Sequence, residues 1–433
     1  MMAEFDRLLA RLAQVRPIRR TGTVTAISAG TVTVAGLPGA AVGDRIRLSS
    51  ALEGEVMALH PGAAVVMPDS MPDGLGTGAV VDLIGPARIA PDAGWIGRVV
   101  DPFGNPLDGR ALLPGLVPRA LRAAPPAPAT RRRLGARLET GTAVFDTLLP
   151  LVRGQRIGLF AGSGVGKSSL LARLARGVQA DVVVIALIGE RGREVKDFTD
   201  DVLGPDGMAR SVVVAATSDQ PPVVRRRCAW AAMAVAEHFR DMGLHVLFLA
   251  DSVTRFAEAH REVALAGGEV AALRGHPPSV AHAIMALAER AGPGAEGAGD
   301  ITAVFSVLVA GSDMDEPVAD ILRGVLDGHV VMDRRIAERG RYPAIDLLKS
   351  VSRSLPRAAH EEENALIGQT RRVLAAWERA ELMVQAGLYA RGSDPAVDEA
   401  IRLFPRLDAF LAEPAPEGGI AASFTRLSQV LRG

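Results

Sequence analysis

Eight residues, Ala161-Gly162-Ser163-Gly164-Val165-Gly166-Lys167-Ser168, combine glycines, a lysine and hydroxyls at a spacing that can hold phosphate. They follow the apolar run Ile157 to Phe160 and precede the helical pattern Ser169 to Arg176, so strand, loop and helix are expected in that order. Glycines let backbone N–H groups turn inward around phosphate oxygens, and a helix N-terminus adds partial positive charge. The expected phosphate set is Gly162, Ser163, Gly164, Val165, Gly166, Lys167, Ser168 and Ser169. Within it Lys167 would neutralise the β- and γ-phosphates of ATP, and the Ser168 hydroxyl would ligate Mg2+. The strict pattern asks for glycine at the first position, where this chain has Ala161, a difference of one methyl group.

A metal-binding acid is expected at the tip of a neighbouring strand. His245 to Ala250 is an apolar run ending on Asp251, which could orient a Mg2+-bound water. Taken alone, an Asp after a strand is most often a helix N-cap, and only its pairing with the loop favours metal. Hydrolysis also needs a group that polarises water. Gly189-Glu190-Arg191-Gly192-Arg193-Glu194 leaves the C-terminal end of another strand, the edge where open α/β sheets bind ligands. Glu190 is the candidate general base and Arg191 a γ-phosphate contact; the alternative is a surface loop of mutually paired charges.

Several elements must position these groups. Arg156 to Phe160, Val182 to Ile188, Val212 to Ala216, His245 to Ala250 and Ile301 to Val309 are continuous apolar runs separated by helical patterns. That alternation predicts a parallel sheet covered on both faces. Before it, from Thr21 to Leu83, short alternating runs punctuated by Gly30, Gly36, Gly39 and Gly43 predict a small barrel or sandwich. Beyond Ser354 the pattern is helical, with Leu374, Trp377, Leu382, Ile401, Phe404 and Phe410 as expected core positions. Phe5, Leu8, Leu9, Leu12 and Val15 fall on one face of a helix over residues 1–16, either docked on the chain's own body or free for a regulator or lipid. Ala123 to Ala129 reads as a linker, and Arg131-Arg132-Arg133 as a solvated face.

Composition narrows the classes. The 433 residues carry 49 Lys plus Arg against 49 Asp plus Glu, so no overall field favours nucleic acid. One cysteine, Cys228, leaves no intrachain disulfide and no cysteine zinc pattern; in a helical run it is expected to be a small core residue. No apolar run approaches the roughly 20 residues that span a bilayer. The first residues include Glu4 and Asp6 without an apolar signal core, so a cytoplasmic location is expected.

Taken together, Ala161 to Ser168, Gly189-Glu190-Arg191, Leu249 to Phe256 and Arg339-Gly340-Arg341-Tyr342-Pro343-Ala344-Ile345-Asp346 resemble the type III secretion and flagellar export ATPases, relatives of the heads of rotary ATP synthases. The similarity runs from Thr21 to Pro395. It implies a RecA-like P-loop core (residues 88–350) between an N-terminal β-barrel (17–87) and a C-terminal helical domain (351–433), with 1–16 as a separate amphipathic segment. It also implies that the core begins near Arg88, ahead of the proline run, although composition alone would cut the chain there. By the same resemblance Glu190 falls on the catalytic glutamate, Tyr342 on the aromatic that stacks on adenine, and Arg353 on an arginine finger donated to the neighbouring subunit.

Those roles make Lys167, Glu190, Arg191 and Arg353 the expected catalytic set, with ATP and Mg2+ bound in a homohexamer. The implied function is Mg-dependent ATP hydrolysis powering flagellar protein export, at the inner-membrane export apparatus. Implied partners are a stator-like regulator at the N-terminus, a central coiled-coil stalk, an export-gate membrane protein and chaperone–substrate complexes, with no nucleic acid. The 311–317 loop could meet the stalk or could cap the following helix. His276 stands where the family has tyrosine, and Ala281-His282-Ala283 lacks its phenylalanine; neither histidine has metal partners in the sequence, and both are expected to be structural. A virulence injectisome ATPase and a ring-shaped RNA translocase are the alternatives.

Overall fold

The computed structural model describes residues 9, 12, 18–28, 30–309, 314 and 316–432, the side chain of residue 273 excepted. The amphipathic segment expected over 1–16, and most of the 311–317 loop, lie outside the described residues.

Six strands form a closed barrel: β1 (Thr21–Ser28), β2 (Thr31–Ala35), β3 (Asp44–Arg47), β4 (Glu53–His60), β5 (Ala63–Pro68) and β6 (Val80–Pro86). Their order around the barrel is β1-β2-β5-β4-β3-β6. The period of two seen in the sequence is the alternation of a filled interior and a wet exterior: Val24, Val32, Val34, Ile46, Val56 and Val66 point inward and are almost fully buried. Closure leaves no free strand edge.

The central sheet contains β7 (Arg98–Val100), β8 (Arg156–Ala161), β9 (Val182–Glu190), β10 (Ser211–Thr217), β11 (His245–Asp251), β12 (Asp300–Leu308), β13 (Gly328–Met332) and β14 (Ile345–Ser352). They lie side by side as β14-β13-β8-β12-β11-β9-β10-β7, and Gly292–Pro293 adds an antiparallel bridge to β12. Strands β7 to β13 pair in parallel, and β14 runs antiparallel to β13. Burial on both faces explains the unbroken apolar runs. In β9, Val182, Val184, Ala186 and Ile188 face one core, while Val183, Ile185 and Leu187 face the other.

Besides two short helices (Ala143–Thr147 and Gly204–Met208), the chain forms α1 (Lys167–Gly177), α2 (Gly192–Asp197), α3 (Pro222–Asp241), α4 (Val253–Ala266), α5 (Pro278–Arg290), α6 (Pro317–Val325), α7 (Arg334–Glu338), α8 (Glu361–Gln385), α9 (Pro395–Phe410) and α10 (Gly419–Arg432). Helix α3 packs its alanine-rich side on β9 to β11 and buries Cys228 completely. In the C-terminal bundle α8 opens with Glu361, Glu362 and Glu363; the Glu363 carboxylate accepts from the His360 N–H at 2.9 Å.

Two expectations are corrected. Arg131 and Arg132 are fasteners rather than a solvated face. Arg131 donates to the carbonyl of Ala291 at 3.2 Å, and Arg132 donates to Asp300 Oδ1 at 2.6 Å, which ties the proline-rich segment to the start of β12. Leu382 is 80% exposed, whereas Leu374 and Phe410 are buried. The helical period continues to the end of α8, where little of the chain covers Leu382.

Candidate active site

The phosphate loop leaves the C-terminal end of β8 and turns into α1. Two of its glycines, Gly164 and Gly166, have φ of 77° and 86°, a left-handed backbone that side chains strain to adopt. Val165 between them is buried and pins the loop to the core, while Ser163, Gly164, Ser168 and Ser169 stay exposed. Among the described residues no side chain caps α1, so its first N–H groups remain available to an anion. The ring of Tyr342 lies over Gly166: a Cβ there would meet Tyr342 Cδ1 at 3.1 Å. Tyr342 itself is 48% exposed. Its neighbour Arg341 is buried, donates to the carbonyls of Pro343 at 3.2 Å and Ile345 at 2.8 Å, and pairs with Asp408 at 2.9 Å. That arginine fixes the backbone that presents the ring.

Asp251 ends β11 and is 3% exposed. The Lys167 ammonium pairs with its Oδ1 across the intervening strand β12. From β12 itself, Ser306 Oγ donates to the same oxygen at 2.8 Å. Beside them, β9 carries one strand further out before ending on Glu190. Leu187 aligns with Asp251, and an irregularity between Ile188 and Glu190 re-aims the last residue. Gly189, with φ 71°, makes that kink possible. Burial raises the Glu190 carboxyl to about 7, assisted by the Asp251 charge and the Glu194 side chain; Lys167 pulls it the other way. A half-buried carboxyl poised near neutrality at a sheet edge is suited to taking and returning a proton.

Arg191 is placed on the same edge, at the start of α2, with its side chain 80% exposed and Nη1 donating to Glu194 Oε1 at 3.2 Å. Arg353 lies elsewhere. Because β14 runs antiparallel to β13, Ser352 pairs with Gly328 and accepts from Gln155 Nε2 at 3.1 Å, at the N-terminal end of β8. The Arg353 N–H bonds the Asp327 carbonyl at 3.0 Å, and its Nη2 bonds that of Arg323 at 3.1 Å. The length of β8, about 16 Å at roughly 3.3 Å per residue, separates it from its own phosphate loop.

The donor set fits a magnesium triphosphate. The uncapped backbone amides at the start of α1 and Lys167 suit phosphate oxygens; the exposed Ser168 hydroxyl on the first turn of α1 and the Asp251 carboxylate suit a hard cation reached directly or through water. Among the described residues no group of three or more His, Cys, Asp or Glu could hold a metal, His276 and His282 included. Sequence reasoning missed Ser306 and Arg341. Ser306 is the one hydroxyl in the apolar stretch Ala303 to Val309, a signal that could have marked it.

Known proteins resemble this chain in its nucleotide-binding core and in its C-terminal domain. Residues 141–352 match the ATP synthase alpha/beta family, nucleotide-binding domain, and residues 359–428 match the T3SS EscN ATPase C-terminal domain. The chain is 43% identical to the flagellum-specific ATP synthase of Caulobacter vibrioides, over 98% of this chain and 99% of that protein. It superposes on the assembled ATPase EscN from the type III secretion system of enteropathogenic E. coli with a TM-score of 0.87 at 34% identity, covering 95% of this chain and all of that one. EscN in complex with its central stalk EscO gives a TM-score of 0.86 at 35% identity, with coverage of 95% and 100%.

Proposed function

This chain belongs to the family of flagellum-specific ATP synthases and type III secretion ATPases, and from that premise we propose that it hydrolyses Mg-ATP at the β8–α1 loop to drive export of flagellar proteins. The observation that carries the chemistry is the convergence of Lys167, Asp251 and Glu190 at one sheet edge, with the Glu190 carboxyl raised to about 7.

The loop amides from Gly162 to Ser169 cradle the phosphates, and Lys167 turns from Asp251 to the β- and γ-oxygens. Tyr342, held by Arg341 and lying over Gly166, stacks on adenine. Ser168 and, through a water, Asp251 would hold Mg2+, which would supply charge neutralisation to the phosphates. Glu190 orients a water in line with the γ-phosphorus. As the new P–O bond forms and the β–γ bridge breaks, Glu190 takes the water's proton and later releases it to the inorganic phosphate. Arg191, exposed on the same edge, swings to the γ-phosphate, while Arg353 from a neighbouring copy completes the site.

The flagellar relative aligns with 98% of this chain and 99% of its own length at 43% identity, and a type 3 secretion system ATPase with 78% and 76% at 44%; the fuller alignment supports the flagellar role over an injectisome role. The EscN assembly and its complex with EscO support a homohexamer around a central stalk. Zero net charge disfavours an RNA translocase. Among the described residues no helix is long and apolar enough to cross a membrane. By its likeness to the flagellar relatives the chain would meet the inner-membrane export gate, chaperone–substrate complexes and an N-terminal regulator from the cytoplasmic side. The test is Glu190→Gln. It should retain ATP and lose turnover by a factor on the order of 10² to 10⁴; unchanged turnover would remove Glu190 as the base.

A further inference from the structure

Strand β12 lies between β8, which ends in the phosphate loop, and β11, which ends in Asp251. Ser306 pairs in register with Leu159 of β8 and is completely buried among Val304, Phe305 and Val307. A hydroxyl in so dry a layer costs free energy unless it is hydrogen-bonded, and its side-chain partner among the described residues is Asp251 Oδ1, at 2.8 Å. Packing alone would be served as well by alanine.

The second donor to that oxygen is the Lys167 ammonium. Both donors therefore meet Oδ1, and the other oxygen, Oδ2, is engaged by neither. In the reading given above, Lys167 leaves Asp251 when phosphate arrives. Asp251 would then lose its counter-charge while a cation site is being assembled, and a carboxylate held at no point turns about its side-chain bond. The Ser306 hydroxyl, carried on a central strand, is the donor that stays.

We propose that Ser306 is a positioning residue for the metal side of the site: it holds Oδ1 of Asp251 so that Oδ2 is presented to a water on the divalent cation, before and after Lys167 moves to phosphate. Outer partners of this kind fix the orientation of groups around a metal, and their loss typically lowers metal affinity about 10- to 100-fold. The proposal rests on the nucleotide reading above and adds to it a residue that touches neither nucleotide nor metal.

The test uses the full chain and equilibrium binding of a fluorescent ADP analogue, in Mg2+ and in EDTA, for wild type, Ser306→Ala and Ser306→Thr. Ser306→Ala should bind as wild type does in EDTA and lose about tenfold or more of the affinity that Mg2+ adds. Ser306→Thr, which keeps the hydroxyl, should restore most of that gain. A full Mg2+-dependent gain in Ser306→Ala overturns the proposal. So does a parallel loss in Mg2+ and EDTA, because that is loosening of the fold rather than loss of metal positioning. Failure of wild type itself to gain affinity from Mg2+ would overturn the nucleotide reading together with the proposal.

Discussion

Arg353 offers a quantitative test of whether one copy completes another's site. Its backbone is tied to Asp327 and its guanidinium to the carbonyl of Arg323, at the edge of the sheet opposite the phosphate loop. The separation of about 16 Å along β8 is too long for an arginine side chain to bridge within one copy. If Arg353 acts on phosphate, it acts on a neighbour's. An arginine finger is worth about 10³ to 10⁵ in rate, or about 4 to 7 kcal/mol of barrier. Arg353→Ala should therefore bind ATP and hydrolyse it at roughly a thousandth of the wild-type rate or less. Lys167→Ala should be similarly inactive for a different reason, having lost its grip on the phosphates.

Mixed in equal amounts, the two inactive proteins should recover activity. A productive interface needs an intact Lys167 on one side and an intact Arg353 on the other. In randomly mixed rings with head-to-tail contacts, about one interface in four meets that condition. The mixture should reach up to about a quarter of wild-type turnover, hundreds of times the mean of its parents. The assay is steady-state phosphate release from rings reassembled after co-dissociation, with each variant alone as control. A mixture that stays at the average of its two parents refutes donation across the interface.

Two further outcomes follow from the site and the core. Glu190 must be deprotonated to act as base, so kcat/KM should climb roughly tenfold between pH 6 and pH 8, with its midpoint near 7, and Glu190→Gln should remove that limb from the residual rate. Arg290 and Glu237 form a buried two-pronged pair at 2.9 and 2.6 Å, so Glu237→Ala leaves a charge without its partner in the core; a loss of about 3 to 5 kcal/mol should appear as a lowered urea midpoint.

The phosphate loop was legible because all its parts are contiguous: strand, two left-handed glycines, lysine, hydroxyl and helix occupy one short stretch. Asp251 and Glu190 were legible as the polar ends of apolar runs. The roles of Arg131 and Arg132 were not, since the Asp300 that Arg132 grips lies 168 residues away and no local pattern records it. Arg353 shows a different limit. Sequence likeness marks the residue, but only the antiparallel course of β14 reveals that it sits at the far edge of its own sheet. Leu382 keeps the helical period of α8 yet stands exposed, because periodicity reports which residues share a face and not what covers it. Ser306 escaped notice as one polar residue inside a strand, its meaning fixed by the neighbour on β11.

The most direct measurement is the affinity of the purified chain for ATP in Mg2+, wild type against Lys167→Ala, by equilibrium titration. Wild type should bind, and removing the ammonium that now rests on Asp251 should weaken binding by at least an order of magnitude while the barrel and bundle stay folded. Equal affinity in the two proteins, or no binding by wild type in its assembled form, would contradict a phosphate grip centred on residues 161–168.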